Sequence, residues 1–393
     1  MGSSAANSHT RSQLATPSSA ADPVQSLLES AISDQTLSGA VIMASRHGVP
    51  VAHYAVGSKV PAAQETPETV RGEMTVETVF DLGQMTQAIC TATVLMRLVS
   101  AGKINVTDRA SRFLQALGVG QKSSITLSHL LTHTAGFPTG VSVYEELVRA
   151  NAGPRPGILA SSGAKQYAYT QFHNLPLKYE PGAKELVSDA NYIVLGEICE
   201  IITGLPLEKA YARYVAAPLK VGSLNFIDLT LLRRKGLEPV MELFAPTGFC
   251  SRRSRLLAGE VWDENAWVMG GVSGHCGLFG TAYDVHTWAT EIVRGYRGES
   301  SLLSRGAVAD FVVSETTPGH RLGFATTSRE SGFVEGKSAP RAFVTSGATG
   351  CSVFIDPDSD TVVVFLTNAG YSGHTSRRFL GLRSDIHAAI MGL

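Results

Sequence analysis

Two glutamines, Gln84 and Gln87, stand three residues apart where the chain turns from a strand into a helix. Val79 to Leu82 reads as a short strand, Gly83 as the turn, and Ala88 to Ala101 as an apolar, small-residue helix that Gly102 stops. Such a helix start offers free backbone N–H groups and the positive end of the helix dipole, which together favour a developing anion. A serine there, with a lysine one turn on, would supply a nucleophile and the group that takes its proton. A carboxamide neither attacks a carbonyl nor usefully accepts a proton, so this layout stands without that chemistry. Ser100-Ala101-Gly102-Lys103 and Ser162-Gly163-Ala164-Lys165 match Ser-x-x-Lys as text. Ser100 falls at the C-terminal end of its helix, where the dipole opposes an anion. Ser162 precedes a glycine in what reads as a loop, so neither serine is expected to open a helix. His129 and His133 have the i, i+4 spacing of a helical metal pair, but no acidic residue lies between them and no third ligand is near in sequence. No metal site and no cofactor are expected.

The elements that must position these residues follow from periodicity and punctuation. Asp22-Pro23 is an N-cap followed by proline at the first helical position, and Val24, Leu27, Leu28, Ala31 and Ile32 fall on one face of the helix it starts. Gly39 to Arg46 and Val49 to Val56 are β-rich runs joined by His47-Gly48, a two-residue hairpin connection. Residues 58–78 read as a polar surface loop, and residues 140–180, rich in Gly, Pro, Ser and Tyr, as long irregular loops. Ile193 to Ile202 is helical and ends at Thr203-Gly204. Strands return at Leu322 to Thr327, Arg341 to Thr345, Cys351 to Asp356 and Thr361 to Thr367, before a closing helix from about Ser376 to Met391 with Phe379, Leu382, Ile386 and Ile390 on one face. Strands at both ends with helices between them imply an α/β (α+β) architecture: an antiparallel sheet built from both termini, with a mainly helical lobe inserted. The expected boundaries are a flexible tail over 1–21 and a single domain over 22–393, its sheet lobe 22–82 plus 310–393 and its helical lobe about 83–309.

Several runs, in this order, resemble the serine β-lactamase and penicillin-binding-protein family, especially an esterase-like branch. Phe80, Asp81, Leu82 and Thr86 match its Phe-Asp-Leu-Ala-Ser-x-Thr-Lys, with Gln84 at the serine and Gln87 at the lysine. Leu130 to Phe137 resembles its Leu-Leu-x-His-Thr-Ser-Gly-Leu, in which the histidine is structural. Pro181 to Gly196 resembles its Pro-Gly…Tyr-Ser-Asn/Asp…Leu-Gly run: Ser188 and Asp189 fit, but Val187 stands where the family has a tyrosine general base. Asp263 to Ala266 and Gly270 to Ala282 resemble a glycine-dense run of the esterase-like branch, which implies a structural role for His275. Thr345-Ser346-Gly347 resembles the His/Lys-Thr-Gly motif, with Thr345 at the cationic or imidazole position. The resemblance implies the β-lactamase/transpeptidase-like fold over about residues 24–390. It also implies a cleft lined by Gln84, Gln87, Ser188, Asp189, His275, Thr345, Ser346 and Gly347, with all four catalytic positions (Gln84, Gln87, Val187 and Thr345) replaced.

Bulk properties narrow the function classes. At 393 residues, 44% hydrophobic and 17% charged, the chain can bury a large core and is not disordered. A net charge of −1 without a basic stripe argues against nucleic acid as a partner. No apolar run reaches the roughly 18 residues a membrane span needs. The five cysteines are scattered, odd in number and free of Cys-x-x-Cys pairs, which reads as reduced thiols in a cytoplasmic protein. The expectation is a non-hydrolytic relative whose cleft binds a peptide-like or acyl ligand or a protein partner. The alternatives are a hydrolase, esterase or acyltransferase with a nucleophile elsewhere, and other chemistry using His275, Asp189 or Ser346.

Overall fold

The computed structural model describes residues 23–61, 66–155, 157–314, 320–327, 332–333, 340–369 and 376–392. The expected tail and the Asp22 cap lie outside the described residues. Helix Pro23–Ser33 buries Val24, Leu28 and Ala31. It is followed by the hairpin of β1 (Gly39–Arg46) and β2 (Val49–Gly57). Both connecting residues have positive φ, His47 at 52° and Gly48 at 73°, so the tight turn asks a left-handed backbone of the histidine as well as of the glycine.

The short strands β3 (Phe80–Asp81), β4 (Asn225–Phe226) and β7 (Leu278–Gly280) form a three-stranded sheet, and β5 (Gly248–Cys250) pairs with β6 (Arg255–Leu257). The main sheet adds β8 (His320–Arg321), β9 (Phe324–Thr326), β10 (Phe343–Ser346), β11 (Ser352–Asp356) and β12 (Thr361–Thr367) to the N-terminal hairpin, in the order β2-β1-β12-β11-β10-β9-β8. Every neighbouring pair is antiparallel. The sheet is thus built from both ends of the chain, as the sequence implies.

Alternation splits the strands between two cores. Val41 and Met43 of β1 and Val362, Val364 and Leu366 of β12 face the larger one, with helix residues such as Leu95, Leu98, Trp288 and Ile292. Ala40, Ile42, Ala44, Val363 and Phe365 face the other, against Leu28 of the first helix and Phe379 and Ile386 of helix Arg377–Met391. Each such buried Val, Ile, Leu or Phe contributes about 1.5–3 kcal/mol. A strand buried on both faces therefore reads as a continuous apolar run, Val362 to Leu366 within Thr361–Thr367.

Two stretches differ from the sequence reading. Residues 58–78 are not wholly a surface loop: Val60 and Val70 are buried with Phe244, Val261 and Phe279 in a third, smaller core. Two isolated valines carry no period, so their burial has no local signature. Residues 140–180 contain helices Tyr144–Ala152 and Ser162–Asn174. The second buries Ala164, Ala168, Tyr169 and Phe172, a helical stripe made half of alanine and hard to see among glycines and serines. No single described helix is long and apolar enough to cross a membrane.

Candidate functional site

Strand β3 delivers the chain to the turn at Gly83 and is locked there from three sides. Phe80 and Asp81 pair with Gly280 and Phe279 of β7, and the Leu82 N–H donates to the Leu278 carbonyl at 3.0 Å. The Asp81 carboxylate accepts the Gly83 N–H at 2.9 Å on one oxygen and the Trp262 N–H at 2.7 Å on the other. Thr86 Oγ1 donates to the Gly83 carbonyl at 2.7 Å and accepts the Leu278 N–H at 3.1 Å. Burial pushes the Asp81 carboxyl up to about 6, against the pull of the two N–H donors. Asp81→Asn keeps the shape but can accept only one of those N–H groups. It is expected to lower unfolding free energy by about 1–3 kcal/mol, read by urea denaturation.

The loop after β10 presses onto this turn. A Cβ on Gly347 would come within 2.4 Å of the Leu82 carbonyl oxygen, so only glycine fits there. The next residue, Ala348, donates its backbone N–H to Gln84 Oε1 at 2.8 Å. Past the turn the chain runs as a π-helix over Gln87–Ala92 and as an α-helix over Thr93–Ser100, with Thr93 Oγ1 donating to the Ala88 carbonyl at 2.8 Å. Wide turns of this kind recur beside functional sites.

A cavity of about 410 Å³ opens between the turn, β10 and helix Asp189–Thr203. Gln84, Gln87, Val187, Asp189, Thr345, Ser346 and Gly347 all line it, so seven sequence-predicted positions converge. Val187 is 52% exposed. Gln87 Nε2 lies 3.5 Å from Asp189 Oδ1. Burial raises the Asp189 carboxyl above its ordinary value; His275 pulls it down and Asp263 adds to the rise. The structure adds lining residues the sequence reading did not assign to the cleft, among them Tyr192, His320, Phe324, Phe379 and Arg383. Phe379 was legible only as a core residue of its helix, and the Ala348 N–H, being backbone, has no residue-type signal.

Two expected cleft residues do not line the cavity. Ser188 caps helix Asp189–Thr203: its hydroxyl accepts the Ala190 N–H at 3.3 Å and also donates to the Pro138 carbonyl, which holds it inward. His275 is fully buried, Nδ1 at 2.9 Å from Ser273 Oγ and Nε2 at 2.9 Å from Asp263 Oδ1. Burial disfavours its charged form, but the Asp263 carboxylate outweighs that and raises the imidazole above its ordinary value. It is a tied structural pair behind the site, as the resemblance implies.

The other candidate groups are also committed elsewhere. Helix Leu127–Leu131 ends before His133, which has φ 55°, so the i, i+4 pair does not share a helix. His129 Nδ1 accepts the Thr126 N–H at 3.3 Å and His133 Nδ1 lies 3.2 Å from Asn191 Nδ2. Ser162, contrary to the loop reading, does open a helix, yet it is exposed and Lys165 holds Glu200 at 2.7 Å. Among the described residues, Asp263, His275 and Cys276 bring donor atoms within 4.8 Å of one another. Both His275 ring nitrogens are already taken, by Ser273 Oγ and Asp263 Oδ1, and that same oxygen accepts the Ala266 N–H at 2.7 Å.

Comparison with known proteins places this geometry. A family model described as Beta-lactamase matches residues 24–383. A protein of Escherichia coli strain K12 named as a D-alanyl-D-alanine carboxypeptidase is 30% identical over 321 residues, spanning 76% of this chain and 70% of its own. Its Salmonella typhi counterpart is 29% identical over 76% of this chain and 71% of its own. The fold is similar to that of EstCE1, a hydrolase with promiscuous acyltransferase activity (TM-score 0.68, 22% identity, 93% of this chain and 98% of that one). It is also similar to FmtA from Staphylococcus aureus (TM-score 0.67, 19% identity, 96% and 93%). With the family model spanning nearly the whole chain and the turn, helix and β10 strand meeting around one cavity, this chain belongs to the β-lactamase family of serine hydrolases.

Proposed function

We propose that this chain is a non-hydrolytic member of its family, and that the inherited cleft binds a peptide-like or acyl ligand or a segment of a protein partner. The observation that carries this reading is Gln84 itself. It occupies the position where the resemblance places the nucleophile, and its carboxamide oxygen sits 2.8 Å from the Ala348 N–H, a donor that would otherwise face an incoming carbonyl. Gln87, Val187 and Thr345 line the same cavity and supply no base or cation. A cytoplasmic setting belongs to the same proposal, supported by five separate, buried thiols.

Intact-protein mass spectrometry after incubation with a fluorophosphonate, a β-lactam and a small activated ester tests it, with an active family member as control. The expected result is no adduct on this chain while the control is labelled stoichiometrically. An adduct mapped to one serine overturns the reading and names the nucleophile.

A further inference from the structure

We infer that the cleft reads an amide group, with Gln84 and Gln87 as its two recognition side chains. This rests on the binding function proposed above and narrows it to one ligand chemistry.

Three successive i to i+3 hydrogen bonds carry the backbone through the turn: Met85 N–H to Leu82 O and Thr86 N–H to Gly83 O, both 3.1 Å, and Gln87 N–H to Gln84 O at 2.9 Å. In a turn of that pitch, side chains three residues apart eclipse. Both carboxamides therefore leave the backbone on one side, and both line the same cavity.

Each carboxamide is oriented by a different fixed neighbour. Ala348 N–H donates to Gln84 Oε1 at 2.8 Å, which makes the other end of that group its NH2. Gln87 Nε2 donates to Asp189 Oδ1 at 3.5 Å, which makes the other end of that group its carbonyl. A carboxamide carries two donors on nitrogen and an acceptor on oxygen, and its orientation is assigned by such partners. The wall thus offers a donor, Gln84 Nε2–H, beside an acceptor, Gln87 Oε1.

A primary amide matches that pair, its C=O accepting from Gln84 and the N–H syn to that carbonyl donating to Gln87. An ester has no N–H, so on binding it leaves Gln87 Oε1 desolvated and unpaired. A carboxylate meets both that oxygen and the Asp189 carboxyl as acceptor against acceptor, and the one guanidinium on the described lining, Arg383, already donates its Nε–H to the Gly332 carbonyl at 3.3 Å. A site with a buried polar group left unpaired rejects the ligand that lacks the partner. Val187, Phe324 and Leu380 along the same cavity give a hydrocarbon substituent its apolar contact.

Benzamide, methyl benzoate and benzoate, matched in ring and differing only in this group, are the probes. Each is titrated into the 15N-labelled full chain while the side-chain NH2 resonances of Gln84 and Gln87 are followed. Benzamide is expected to bind at least about 5-fold more tightly than either of the others, the size of one net hydrogen bond. Gln87→Met, similar in length but without the acceptor, is expected to bring amide and ester to equal affinity, the amide losing its partner and the ester no longer leaving an oxygen unpaired. Methyl benzoate binding as well as benzamide to the unchanged protein, with the cleft resonances moving, overturns the amide reading and leaves cleft binding intact. Failure of benzamide to move those resonances also overturns it. A benzoyl adduct from methyl benzoate overturns instead the non-hydrolytic function on which it rests.

Discussion

Gln84→Ser and Gln87→Lys introduced together are expected to leave the hydrolysis of a small activated ester within about tenfold of the unchanged protein, since each missing acid–base group is worth about 10²–10⁴ in rate. The geometry gives two reasons. A lysine at position 87, one bond longer, would carry its ammonium along the path on which Gln87 Nε2 now lies 3.5 Å from Asp189 Oδ1. That carboxylate would favour the charged form of the lysine, the form that accepts no proton. Val187 and Thr345 would still line the cavity without a base or a cation. Adding Val187→Tyr and Thr345→His to the pair is expected to raise turnover at least about 10²-fold over the double variant. The side chain at 187 already reaches the cavity and that at 345 sits on its β10 wall, so both new groups start from the cleft itself. Release of nitrophenol from an activated nitrophenyl ester, with mass spectrometry for the acyl-enzyme, reads both variants. Strong turnover by the double variant would show that two of the four positions suffice.

The sequence makes the scaffold legible because its strongest signals are those the fold needs most. Val362 to Leu366 is apolar without interruption, as a strand buried on both faces must be, and the structure places its strand between β1 and β11. Ser376 to Met391 announces its helix by an apolar face; the structure gives Arg377–Met391 and makes Ser376 its cap, the hydroxyl accepting the Phe379 N–H at 3.1 Å. Helix Ser162–Asn174 is masked because alanines at 164 and 168 do half its packing.

The candidate site divides the same way. Positions fixed by motif order, such as Gln84, Asp189 and Thr345, can be placed from sequence because the turn, the helix start and β10 carry them to one cavity. What the side chains do there depends on partners far along the chain. Ser188 turns away from the cavity because the N-cap of its own helix and the Pro138 carbonyl hold its hydroxyl. Gln84 meets a backbone N–H 264 residues on, and no residue type encodes that contact.

Acid is expected to unfold this protein through two histidines remote from the cleft chemistry. His387, fully buried on helix Arg377–Met391, packs against Phe333 and Phe354 with ring centroids 4.9 and 5.8 Å away, and neither ring nitrogen has a hydrogen-bond partner among the described residues. Burial, with the Arg383 guanidinium adding to it, lowers this imidazole from 6.5 to about 3. His286, bonded to Ser45 Oγ at 2.9 Å, is lowered by burial and by His53 to about 4. Both groups bind a proton in the unfolded chain below pH 6.5 and refuse it in the folded one. The stability they contribute is whole above that pH and is lost as the pH falls toward the folded values, at about 1.4 kcal/mol per pH unit for each group. Asp81 works the other way: its carboxyl, raised to about 6, holds a proton that the unfolded chain gives up above 3.8, so it favours the folded state in acid. Asp189 and His275, also raised, work with Asp81, so the loss from the two imidazoles is read most directly in a variant that removes one of them. His387→Leu replaces a buried ring that has no polar partner among the described residues with a side chain of similar volume. It is expected to raise unfolding free energy near neutral pH by about 1–3 kcal/mol and to flatten the fall toward acid by the share of one group. Urea unfolding of both proteins across that range decides it: equal slopes would mean that His387 takes up its proton without opening the sheet-side core.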